Sequence, residues 1–167
     1  KGEKLLIVSE QGLGDTLQYM RYIPYLRSKG LDISFCAQKM LHSLIKSSGI
    51  DSNPLTPDQA ILVSEGKWIP LLSLARLLKI RPHNSIIENP YIFSTEELIK
   101  KWEILLAKEK RPVIAINWQG DRRYAHDDMR SIPLSYFKDT INNKNFEFVS
   151  LQKNFGSEQI KKNKFEN

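Results

Sequence analysis

The sequence predicts an α/β fold built on a parallel sheet. Apolar β-forming runs alternate with helical periodicity from residue 4 onward, a glycine-bearing turn joins the first run to the first helix, and a second run-helix-run unit begins at Arg111. Lys4–Glu10 (KLLIVSE) reads as the first strand. After the turn, Leu17, Met20, Tyr22, Ile23 and Leu26 recur at three- and four-residue steps, which predicts one helix closed by Gly30. Asp32–Ala37 (DISFCA) is a second strand, and residues 38–48 a second helix with Met40, Leu41, Leu44 and Ile45 on its apolar face. Between them, these elements predict right-handed crossovers.

Residues 51–67 are the least regular, and Ile61-Leu62-Val63 is their expected strand. Trp68–Ile80 is apolar enough for strand or helix; a loop and a short helix are expected there. Pro82 and Pro90 mark residues 81–92 as an extended connection. Ser94-Thr95-Glu96-Glu97 reads as a capping box, with Ser94 accepting from the Glu97 N–H, ahead of a helix to about Lys108. In the second unit, Val113–Trp118 and Phe146–Gln152 are strands, separated by a polar loop (119–131) and a helix from Pro133 to Asn143; Gly156–Gln159 opens a last helix. The expected division is residues 1–109, a nearly complete domain, and 110–167, the incomplete start of another. A βαβ unit without further strands, and a first residue other than Met, lead us to expect a piece of a longer protein.

Composition narrows the function classes. The chain has 167 residues, 41% of them hydrophobic and 26% charged, with a net charge of +6. That suits a globular protein with an anionic ligand and is weaker than the basic stripe of a nucleic-acid binder; no nucleic-acid partner is expected. The one cysteine, Cys36, excludes an internal disulfide and a Cys-based zinc set. No run approaches the roughly twenty apolar residues needed to span a bilayer, and no signal peptide is visible, so no transmembrane segment and a cytoplasmic location are expected.

Two loops carry the candidate chemistry. Glu10-Gln11-Gly12-Leu13-Gly14-Asp15-Thr16 lies where the first strand turns into the first helix, the carboxyl edge at which open α/β sheets bind ligands. Gly12 and Gly14 allow close approach to the backbone. Leu17 stands where a dinucleotide fingerprint has its third glycine, and no Gly-Lys-Ser/Thr of a Walker A loop follows. Asp15 admits two roles. It can cap the helix, with Gln18 three residues on completing a capping box, or it can take a proton from a sugar hydroxyl. The second loop runs from Asn117-Trp118-Gln119-Gly120 to Arg130-Ser131-Ile132-Pro133. Gly120 permits close approach, the following helix start offers free N–H groups to a phosphate, and Arg130 is a better-placed cation than the solvated Arg122 and Arg123. His126, Asp127 and Asp128 are adjacent without a converging fourth group, so no metal site is expected. His42 and His83 lack a Ser or Cys partner, which leaves a nucleophilic triad unsupported.

Together these motifs form an ordered set. The opening Glu10–Tyr19 and Arg21-Tyr22-Ile23-Pro24 blocks are followed by Ile69–Leu74, Pro90-Tyr91, Ile116–Gly120, Arg130–Leu134 and Ser150–Lys153. In this order they resemble glycosyltransferase family 9-like domains, the heptosyltransferase-like proteins often attached to tetratricopeptide repeats. The resemblance implies a GT-B architecture: a Rossmann-like, acceptor-side domain of parallel sheet flanked by helices, and the first βαβ part of a second, donor-side Rossmann-like domain. It implies inverting transfer of a sugar from a nucleotide-sugar donor to a carbohydrate or protein hydroxyl, without a metal or other cofactor. Asp15 matches the general base. Gln119, Gly120 and Arg130 match groups beside the donor diphosphate, Gln152 with Lys153 the strand end beside the nucleoside, and Gly12 and Gly14 are expected to bind the donor as well. Arg130 stands three residues before Pro133 where the family's basic residue stands two before. The family's late donor block, with an Asp and a His-Leu-Ala helix, lies beyond residue 167, so poor nucleotide affinity and no turnover are expected of residues 1–167 alone, with dimerisation covering apolar strands left open. The alternative is a non-catalytic carbohydrate- or protein-binding module that keeps the fold.

Overall fold

The computed structural model describes residues 2–86 and 89–163. Ile87 and Glu88, within the expected connection, and the chain after Asn163 lie outside the described residues. The chain divides into two compact units, Lys1–Ile99 and Lys100–Asn167. It is mixed α/β, and both of its small sheets are parallel.

The first unit is centred on β1 (Lys4–Val8), which pairs in parallel with β2 (Asp32–Cys36) on one side and β3 (Lys67–Pro70) on the other. Ile7 sits opposite both Phe35 and Ile69. Ile7 and Phe35 are fully buried beside Met20, Ile23, Ile45 and Leu71, which makes this register the centre of the core. The expected first helix is two: α1 (Leu13–Tyr19) and α2 (Tyr22–Ser28). Pro24 explains the break. In one continuous helix its ring would meet the Met20 carbonyl four residues back; in a helix restarted at Tyr22 it falls in the first turn, where its missing N–H costs nothing. After β2, a 3-10 turn (Lys39–Leu41) leads into α3 (His42–Ser47).

The expected strand Ile61–Val63 is a correction. Those residues form the turn leaving α4 (Pro57–Ala60), and Ile61 and Leu62 are among the most exposed apolar side chains. The Thr56 hydroxyl accepts the Gln59 N–H (3.4 Å) while Gln59 Oε1 accepts the Thr56 N–H (2.9 Å), with Pro57 at the first helical position. The third strand is instead β3, reached through Gly66. At φ +94°, with a Cβ there only 2.5 Å from the Lys4 carbonyl oxygen, this position lets the chain swing beside β1 only as glycine. The loop expected at Trp68 is thus strand, and the short helix after it is α5 (Ser73–Leu77).

Helix α6 (Glu96–Leu106) spans the division between the units. Its cap is Thr95, whose hydroxyl accepts the Leu98 N–H at 3.3 Å, one residue later than the Ser94–Glu97 pairing expected from sequence. The second unit pairs β4 (Val113–Ile116) with β5 (Glu147–Ser150). Between them, the expected long helix is a 3-10 turn (Leu134–Phe137) running into the single turn of α7 (Lys138–Ile141); α8 (Glu158–Lys162) follows β5. Its buried core is small, Trp118, Leu134 and Ile141, and no residue of β4 or β5 is fully buried.

At the head of β4, Arg111 reaches both Glu109 (2.9 Å) and Glu147, joining the starts of the two strands. The Arg111 side chain, and then its backbone N–H, pull the Glu109 carboxyl from 4.5 down to about 2. A depressed carboxyl contributes stability that is present above its unfolded value and is lost as pH falls through the folded one. The Glu109–Arg111 contact is therefore expected to hold at pH 4 and to fail toward about pH 2. Carboxyl-carbon NMR of Glu109 should show its midpoint there, and Arg111→Gln should return it toward 4.5.

Candidate functional site at the carboxyl edges of the two sheets

In the first unit, Gly12–Asp15 leaves the carboxyl edge of the parallel sheet and enters α1. The turn is tied down from both flanking strands. Glu10 extends toward the end of β3, where its carboxylate accepts the N–H groups of Leu71 (3.1 Å) and Leu72 (3.3 Å). On the β2 side, the fully buried Thr16 bonds the Ser9 hydroxyl and donates to Gln38 Oε1 (2.9 Å), and Gln38 Nε2 donates to the Gln11 carbonyl (2.8 Å). Tyr91 closes the outside of α1: its hydroxyl donates to the Leu17 carbonyl (2.8 Å) and accepts from Arg21, whose guanidinium lies 4.5 Å over the ring.

Asp15 is not the helix cap that its pairing with Gln18 suggested. The cap position is Gly12, and Asp15, at the third helical position, accepts the Gly12 N–H through Oδ2 at 3.1 Å. Its other carboxylate oxygen has no partner among the described residues, and the side chain is only half-buried. Gly14 sits on the exposed side of α1, where a Cβ would have nothing within 4 Å.

In the second unit, Gln119, Gly120, Gln152 and Lys153 line one open cleft of about 230 Å³. Arg130 lines a neighbouring one of about 340 Å³ that shares Asn117, Gln119 and Gly120. The structure thus brings the five residues of this unit expected on the donor side to two adjoining clefts beside the ends of β4 and β5. Two of them, Gln152 and Gly120, also bond within the unit. Gln152 Oε1 accepts the N–H groups of Trp118 (3.1 Å) and Gln119 (2.9 Å), while Nε2 donates to the carbonyls of Gln119 (2.9 Å) and Phe155 (2.6 Å). Its amide is committed to joining the loops after β4 and β5. The Gly120 N–H goes to Ser131 Oγ (3.0 Å), and the Leu134 N–H to Gln159 Oε1 (2.9 Å). Two of the amides expected to meet a phosphate are therefore already bonded.

What the loop does present is a braced cation. Asp127, 7% exposed, accepts Arg130 Nε at 3.1 Å, and the guanidinium lies 4.5 Å over the Tyr124 ring. The Nη groups have no partner among the described residues. Gly120 makes room for this arrangement: a Cβ there would stand 2.4 Å from Asp127 Oδ1 and 2.7 Å from Arg130 Nη2. In the sequence, Asp127 stands in a run, His126–Asp128, where no metal site is expected. Its signal was its spacing, three residues before Arg130, which closes an ion pair over one turn. Arg122 and Arg123 are paired with Glu158 (2.8 Å) and Asp121 (2.6 Å), and the Arg123 side chain lowers the Asp121 carboxyl to about 2. Lys153 is exposed, and its ammonium has no partner among the described residues.

Among the described residues, no three His, Cys, Asp or Glu side chains gather as a metal-ligand set, and no helix is long and apolar enough to cross a membrane. No family model matches the chain, and no curated protein or solved structure is significantly similar to it.

Proposed function

We propose that this chain carries the working edges of an inverting glycosyltransferase of the GT-B type, with Rossmann-like domains, which moves a sugar from a nucleotide-sugar donor to a hydroxyl acceptor. The observation that carries the donor half is Arg130. A buried carboxylate and an aromatic face hold its guanidinium, while its Nη groups stay unspent beside the Asn117–Gly120 segment. A planar donor fixed at one end and open at the other suits a diphosphate, whose charge grows as it departs. Lys153, on the neighbouring cleft, adds a second positive charge.

Asp15 supplies the acceptor half. Its free oxygen takes the proton of the acceptor hydroxyl, the hydroxyl oxygen bonds to the anomeric carbon, and the bond to the diphosphate breaks with its electron pair going to the leaving group. Attack opposite the leaving group inverts the anomeric centre. The Gly12 N–H on Oδ2 fixes the direction in which the carboxylate points.

The internal bonding of the Trp118, Gln119 and Gly120 amides favours a second reading, a module that binds a nucleoside diphosphate group without transfer, since it leaves Arg130 and Lys153 as the unspent donors. Calorimetric titration of the full-length protein with ADP, GDP, CDP, UDP and pyrophosphate tests the site common to both. Saturable binding of at least one is expected, weakened about tenfold or more by Arg130→Ala, the scale of a lost charged hydrogen bond. No saturable binding of any of them overturns both readings. Binding without sugar transfer to any acceptor leaves the second.

A further inference from the structure

The longest helix of the chain is the least buried. None of the eleven residues of α6 is buried, yet five of them form an apolar stripe. At about 100° per residue, Leu98, Trp102 and Leu105 follow one line, with Ile99 and Leu106 beside it. Trp102 is 49% exposed and Leu105 57%. A solvated helix has no use for such a stripe, so something is expected to cover it.

The charges at its ends indicate what. Glu96 and Glu97 open the helix, and Lys108 and Lys110 follow its end. None of these four side chains has a partner among the described residues. Set antiparallel against a second α6, the acidic opening of each copy lies over the lysines at the end of the other, twice by symmetry. The Leu98 end of one stripe then meets the Leu105–Leu106 end of the other, with the two Trp102 rings near the axis. The helix dipoles also oppose favourably. A parallel pairing would instead set the two acidic openings side by side and the two lysine-bearing ends side by side. The pattern is self-complementary in one direction only, as a closed two-fold contact requires.

We infer that α6 is the dimerisation helix of this protein, pairing antiparallel with α6 of a second copy. This inference does not depend on the sugar-transfer reading. An eleven-residue helix is about 16 Å long. Two such faces bury roughly 1,000 Å², near the lower limit of a specific interface, so the dimer is reversible.

Sedimentation equilibrium of the full-length protein is expected to show a dimer at about 100 μM that dissociates on dilution. Glu96→Lys with Glu97→Lys should weaken it at least fivefold, as should Lys108→Glu with Lys110→Glu. An equimolar mixture of the two double variants should dimerise again, because each acidic end then meets a basic one. All four substitutions lie on exposed side chains, and recovery in the mixture separates loss of pairing from loss of fold. A wild-type monomer at about 100 μM overturns the inference, as does a dimer indifferent to the charge variants or a mixture that stays monomeric.

Discussion

Asp15→Asn is expected to slow sugar transfer by on the order of a hundredfold or more, the usual scale for losing a general base, without lowering the melting temperature. The two halves of this result separate the roles of one side chain. In structure, Asp15 holds the Gly12 N–H through Oδ2, and an Asn carbonyl oxygen can accept the same bond. In chemistry, Asn cannot take the hydroxyl proton. Asp15→Ala removes anchor and base together and confuses them. Initial rates and a thermal melt of Asp15→Asn, run beside the wild-type protein, decide the matter. Transfer at the normal rate with a normal melt leaves Asp15 as the anchor of its own turn, and the base must then be another group.

Arg27→Met is expected to lower the free energy of unfolding by about 3 kcal/mol, the cost of leaving a buried charge without its partner. Arg27, on α2, donates to the Ile50 carbonyl (2.5 Å), to the Ile33 carbonyl (3.0 Å) and to Asp51 Oδ2 (2.5 Å). It joins α2 to β2 and to the segment after α3. Asp51, 6% exposed, keeps its other oxygen on the Asn53 N–H (2.7 Å). Without the guanidinium, a carboxylate shut away from water retains one backbone donor. Urea titration should show a lower midpoint at an unchanged slope. The double variant Arg27→Met with Asp51→Leu should regain much of the loss, since an apolar pair of suitable volume replaces a buried ion pair at little cost. If the single variant matches the wild type, solvent already screens the pair, and the carbonyl bonds are water-replaceable.

The sequence made β1, β2, β4 and β5 legible because each is a run of β-forming apolar residues set off by polar or turn-forming residues, and the glycines made the turn after β1 legible. It misplaced β3. Lys67-Trp68-Ile69-Pro70 is short, half polar and ends in proline, and it is a strand because Gly66 lays it against β1. The more apolar Ile61–Val63 is an exposed turn, since the capping box before it spends the backbone on a helix. Local propensity could not weigh these against each other; the pairing with β1 did. In the site, residue identities were legible and their partners were not. Gly12 has no side chain to announce a cap, so the sequence offers Asp15 as a candidate cap instead. Gln152 stood out as a strand-end residue, but only the return of β5 beside β4 shows that its amide is spent on the neighbouring loop. Glu10 and Asp127 act across the fold and over one turn, on groups that composition cannot pair in advance.

The polar lattice around Glu10–Thr16 has an entropic consequence. Glu10, Gln38, Thr16 and Asp15 each hold a backbone or side-chain group of the turn, or of the strands beside it, before any ligand arrives. A loop that orders on binding loses about 0.5–1.5 kcal/mol for each side chain it immobilises. Here that loss belongs to folding. Any association at this edge then depends on the shape and desolvation of the incoming molecule, so a molecule that does not fit is rejected at the moment of contact and not by failure to close a loop around it.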